Sequence, residues 1–170
     1  YKETHGHFPL WTNGMFSGMP AYQIAMDPKN PFNLIYVHKA FALTPVDGKV
    51  FPEGLGKPMQ FFFLLCLGFY FLSQVFAVDF RIGILGALAY AYASFSSILI
   101  VAGHETQVLA MAYMPALIAS ILLVYKKRYW IGAATTALFT SLFVAMNHLQ
   151  VTYYFLIIAV FMTAFYLIEW

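Results

Sequence analysis

Residues 59–78 read MQFFFLLCLGFYFLSQVFAV, without one charged side chain. At a helical rise of about 1.5 Å per residue, such a run reaches about 30 Å, the thickness of a bilayer's hydrocarbon core. Four further runs repeat the pattern, at 82–101, 108–125, 130–146 and 151–168. The connections are short, at 79–81, 102–107, 126–129 and 147–150. Successive helices are therefore expected to be antiparallel neighbours. The whole chain is 62% hydrophobic and only 9% charged. A soluble domain carries about a quarter charged residues, so this composition leaves no polar face to meet water and argues against a soluble helical core. The expected fold class is all-α: a polytopic transmembrane helical protein with about five spanning helices in residues 58–170.

Residues 1–57 are of another character. Six prolines and six glycines punctuate them, from Gly6 and Pro9 to Gly54 and Gly56. That density predicts a loop segment with short interfacial helices. One helix is expected over Met19–Ala25. A second is expected from Pro31 to Leu43, with Asn30 as N-cap and Pro31 in the first helical position. The chain opens on Tyr1 without a basic leader, and it is read as an internal piece of a longer protein.

Orientation follows from the basic residues. Lys126, Lys127 and Arg128 fill one short connection and Arg81 lies in the other on that side, while 102–107 and 147–150 hold no Lys or Arg. The positive-inside rule makes Lys126–Arg128 cytoplasmic. Residues 1–57, 102–107 and 147–150 then face the exterior. A net charge of +2, with scattered charges, gives no footprint for nucleic acid. The single cysteine, Cys66, cannot form an internal disulfide.

Three polar clusters fall on the exterior side. The first, Ala102-Gly103-His104-Glu105-Thr106-Gln107, sets an imidazole beside a carboxylate. It reads either as a solvated turn or as a pair suited to proton transfer or to a phosphate or sugar. The second is Asn147-His148-Leu149-Gln150, followed by Tyr153 and Tyr154. Asn147, Gln150 and Tyr154 share a helix face, which fits either headgroup contact or substrate binding. The third, from Trp11, Thr12 and Asn13 to Tyr22 and Gln23, alternates aromatic, amide and glycine residues. It reads equally as an interfacial loop or as a sugar-binding segment.

His104, Glu105 and His148 are metal-ligating types, but no helical spacing pairs them, and neither metal nor organic cofactor is expected. The remaining polar residues read as scaffold. The stripes Tyr90, Ser94, Ser97 and Thr136, Thr140, Phe143, Asn147 are expected to glue helices together. Ala89 with Ala93, and Gly132 with Thr136, are expected to permit close helix approach. Pro115 lies inside a span and is expected to kink it.

Taken in order, Trp11-Thr12-Asn13, Met19-Pro20-Ala21-Tyr22-Gln23, Ala102-Gly103-His104, Ala112-Tyr113-Met114-Pro115 and Asn147-His148-Leu149-Gln150 with Tyr153-Tyr154 resemble the YfhO-like family of bacterial membrane proteins. That family is similar to the GT-C integral-membrane glycosyltransferases. The resemblance implies transfer of a sugar from a polyprenyl-phosphate carrier to an extracytoplasmic cell-envelope acceptor, in the bacterial cytoplasmic membrane. Membrane lipid, the lipid-linked sugar and the acceptor are the implied partners. Residues 1–57 would form most of the first exterior loop. The implied substrate-binding candidates are Trp11, Asn13, Tyr22, Gln23, His104, Glu105, Asn147, His148 and Gln150. The catalytic acid is expected upstream of Tyr1, so Glu3, Asp27, Asp47 and Glu53 receive no catalytic role. The chain departs from the family pattern at Glu105 and Gln107. The alternative from the residues is a non-enzymatic transporter, flippase or envelope-assembly protein.

Overall fold

The computed structural model describes residues 11–12, 19–20, 53–146 and 148–169. The chain divides into two compact units, Tyr1–Asn33 and Leu34–Trp170.

In the first unit, strands β1 (Trp11–Thr12) and β2 (Met19–Pro20) pair antiparallel, with Trp11 opposite Pro20 and Thr12 opposite Met19. This corrects the helix expected to begin at Met19. A residue before proline is driven from the α region toward extended backbone, so Met19 enters a strand. The rest of that expected helix and the one over 31–43 lie outside the described residues.

Among the described residues of the second unit the regular elements are helices: α1 (Glu53–Val75), α2 (Phe80–Ala91), α3 (Ser94–Val101), α4 (Glu105–Tyr125), α5 (Tyr129–Ala145) and α6 (Leu149–Glu169). Helices thus occupy all the apolar runs. By length and composition, α1 from Pro58, α4 and α6 are able to cross a membrane. A fourth crossing exists if α2 and α3, bent by 42°, count as one. Helix α5, with 17 residues, is apolar but shorter.

The expected continuous helix over 82–101 is therefore interrupted. Tyr92 closes α2 through its N–H to Leu88 O at 2.9 Å, and Ala93 leaves helical geometry at φ −54°, ψ 140°. The Tyr92 ring stacks on Phe62 of α1 with centroids 4.6 Å apart. Serines 94, 96 and 97 follow the break, and serine is a weaker helix former than the alanine and leucine residues around it. The break divides the Tyr90, Ser94, Ser97 stripe, which does not present one face.

Three helix ends close in the same way. After α1, Ala77 (φ 59°) donates to Gln74 O at 3.0 Å and Val78 to Ser73 O at 3.1 Å. After α3, Gly103 (φ 77°) donates to Ile100 O at 3.1 Å and His104 to Leu99 O at 3.0 Å. After α4, Lys127 (φ 64°) and Arg128 donate to Val124 O and Leu123 O, both at 3.0 Å. Each is a paired closure that satisfies two terminal carbonyls. Two of the three place a side-chain-bearing residue where glycine is favoured.

Helix α4 is the hub. It packs against α1, α3, α5 and α6, while α2 packs on α1. Its span is 67% buried, against 11% for α6. Lipid tails are as apolar as leucine, so close packing must hold such helices together. Small residues provide it. A Cβ on Gly68 would lie 2.2 Å from Ala112 O, and one on Gly132 would lie 2.7 Å from Val124 N. Gly132 fulfils the expectation of close approach, whereas Ala89 and Ala93 are exposed and Gly83, Ala87 and Ala91 are the buried small residues of α2. Helix α4 runs through Pro115 without interruption.

Several small hydroxyls bond within their own helix rather than between helices. Ser73, Ser120, Thr135 and Ser141 bond back to carbonyls of their own helices at 2.7–2.8 Å. Two tyrosines supply polar links between helices: Tyr90 donates to Met111 O at 2.9 Å and Tyr125 to Thr163 Oγ1 at 2.8 Å. The α5 stripe is also divided, with Phe143 buried and Thr140 exposed.

The ends of the bundle separate as the apolar runs predict. Lys126 donates its Nζ to Val75 O, so the α1–α2 and α4–α5 turns share one end. Tyr125 stacks on Tyr166 there with centroids 4.5 Å apart. Helices α4 and α6 therefore run in the same direction, and their N-termini meet at the other end.

Candidate functional site

At that other end, α4 begins directly after the turn closed by Gly103. His104 is exposed and serves as N-cap through its carbonyl, which accepts the N–H groups of Gln107 and Val108 at 3.1 Å. Its imidazole takes no part in the cap. Glu105 follows, half-buried in the first turn, where a carboxylate complements the positive end of the helix dipole.

His148 is half-buried at the start of α6 and uses its ring. Its Nδ1 accepts the Val151 N–H at 3.3 Å. Its carbonyl accepts both the N–H and the hydroxyl of Thr152, each at 3.1 Å. Burial pushes the imidazole below its ordinary pKa; a bond to its own backbone opposes this, and the nearby His104 charge lowers it further. The two histidines thus lie within electrostatic reach. An Nδ1 held as acceptor fixes the neutral tautomer that carries its proton on Nε2. That N–H is available to donate to an anionic or hydroxylic ligand.

Apolar packing supports both turns. Val108 of α4, Phe143 of α5, Met146 just after it, and Val151 and Phe155 of α6 are buried in one cluster. The Phe143 and Phe155 rings meet at 5.2 Å. The structure thereby brings His104, Glu105, His148 and Gln150 to one end of the bundle, with Gln150 exposed on the first turn of α6. Trp11, in the first unit, is 56% exposed. Asn13, Tyr22, Gln23 and Asn147 lie outside the described residues. Among the described residues no three His, Cys, Asp or Glu side chains gather.

One feature escapes a reading of the sequence. A cavity of about 320 Å³ lies between α1, α4 and α5, lined by Leu64, Leu67, Phe71, Tyr113, Leu138 and Phe139 among others. Gly68, Ala112 and Ala116 form its narrow wall. The only trace in the sequence is the spacing of these small residues. No protein-family model, curated protein or solved structure matches the chain.

Proposed function

We propose that the chain is part of a GT-C type, YfhO-like membrane glycosyltransferase of the bacterial cytoplasmic membrane. It crosses the bilayer five times, with residues 1–57, 102–107 and 147–150 outside. It transfers a sugar from a polyprenyl-phosphate carrier to a cell-envelope acceptor. The observation that carries this reading is the meeting of His104 and His148 at the N-termini of two parallel helices. Helix N-termini and an imidazole N–H together favour a phosphate. In this reading His148 donates from Nε2 to the carrier phosphate, with the His104 imidazole beside it. The apolar cavity between α1, α4 and α5 suits an isoprenoid chain. The test is transfer of radiolabelled sugar from a polyprenyl-phosphate donor by the full-length protein. His104→Ala and His148→Ala are each expected to lower transfer at least tenfold; unchanged rates would remove both residues from the site.

A second reading is a transporter or flippase. The 42° break between α2 and α3 favours it, because discontinuous helices line substrate paths in many transporters. Vesicle uptake of a labelled lipid-linked sugar, without transfer to acceptor, would select this reading.

A further inference from the structure

The end of the bundle opposite the histidines carries a second polar surface. Lys126 is engaged there, with its Nζ on Val75 O at the negative end of α1. Lys127, Arg128 and Arg81 are exposed. The Lys127 and Arg128 side chains have no carboxylate partner among the described residues. Asp79 is occupied in capping α2, its Oδ1 accepting the Arg81 N–H at 2.9 Å. Glu169 ends α6 at this same end.

Helix architecture does not account for these cations. Arg81 and Arg128 stand at the N-termini of α2 and α5, where the dipole disfavours positive charge. Lys127 occupies a left-handed position, φ 64°, which glycine would fill more cheaply. Exposed aromatic rings surround them. Trp130 is 92% exposed, Tyr129 and Phe80 more than half so. The Arg81 guanidinium sits over the Phe80 ring, 5.5 Å from its centre. Cations ringed by Trp, Tyr and Phe match the headgroup layer of a membrane, where an anionic leaflet attracts each Lys or Arg by about 1 kcal/mol.

We propose that Arg81, Lys127 and Arg128 form a docking surface for anionic phospholipid headgroups, recognising the phosphodiester from the leaflet on that side. The surface rests on the reading that the helices cross a bilayer, and is independent of any transferase activity.

The test reconstitutes the full chain in vesicles of phosphatidylcholine and of phosphatidylcholine mixed with phosphatidylglycerol. Lipids retained after mild detergent extraction are counted by native mass spectrometry. Phosphatidylglycerol is expected above its bulk share. Arg81→Gln, Lys127→Asn and Arg128→Gln are each expected to lower that enrichment about fivefold, and Arg128→Lys to preserve it. Asparagine is chosen because it tolerates positive φ. Circular dichroism checks that the variants keep their helix content. No enrichment, or enrichment unchanged in a correctly helical triple variant, overturns the surface. Displacement by excess inorganic phosphate overturns the lipid assignment in favour of a soluble anion. Failure to insert into either bilayer overturns the surface together with the spanning reading.

Discussion

The His148 ring caps the helix that follows it, its Nδ1 accepting the Val151 N–H at 3.3 Å. Only the unprotonated nitrogen accepts. Protonation removes the cap and places a cation at a helix N-terminus beside His104, both unfavourable. The folded pKa lies below the ordinary 6.5, so the unfolded chain binds the proton more readily. Stability contributed here is complete above pH 6.5 and falls as the pH drops below it toward the folded value. Thermal melts in detergent are expected to show this loss. His148→Asn, which caps without titrating, is expected to flatten the acid limb. His148→Ala is expected to cost about 1 kcal/mol at neutral pH.

Ala77 closes α1 in the left-handed region at φ 59°. Ala77→Gly is expected to stabilise the fold by about 0.5–1 kcal/mol, because relief of strain exceeds the added freedom of the unfolded chain. A higher midpoint in a denaturation series checks it; an unchanged or lower one refutes it.

Gly68 lies against the α4 backbone, where a Cβ would come within 2.2 Å of Ala112 O. A carbonyl in mid-helix does not step aside. Gly68→Ala is expected to separate α1 from α4 and cost about 3 kcal/mol, at the upper range of overpacking. Gly86→Ala meets only the Phe69 ring edge at 3.0 Å and is expected to cost far less. Comparing the two melts isolates backbone contact from helix propensity.

Thr136 buries its hydroxyl on α5 without a hydrogen-bond partner among the described residues. Thr136→Val keeps the shape and removes the unsatisfied group, so a gain of about 1 kcal/mol is expected. Destabilisation would mean that the hydroxyl is bonded in the membrane.

Tyr125 ties α4 to α6 through Thr163 at 2.8 Å. A double-mutant cycle of Tyr125→Phe and Thr163→Val is expected to give a coupling of about 0.6 kcal/mol, as for other hydrogen bonds between membrane helices. Zero coupling would leave the stacked Tyr125 and Tyr166 rings as the tie.

Much of this arrangement is legible from composition and run length. Charge-free runs such as 59–78 have to become helices in an apolar solvent, because every backbone N–H and C=O must find its partner within the segment. The short connections set the alternation of helix ends, and that alone sends His104 and His148 to one end and Lys126 to the other. The packing order is different. Nothing local says that α4 becomes the hub, since all the runs are similarly apolar; the choice lies in where Gly68, Ala112 and Gly132 let backbones approach. At the break, Tyr92 stacks against Phe62, a contact distant in sequence. Likewise, the sequence places a histidine at each turn, but only the parallel course of α4 and α6 brings the two imidazoles within reach, and only the cap geometry decides which nitrogen of His148 keeps its proton.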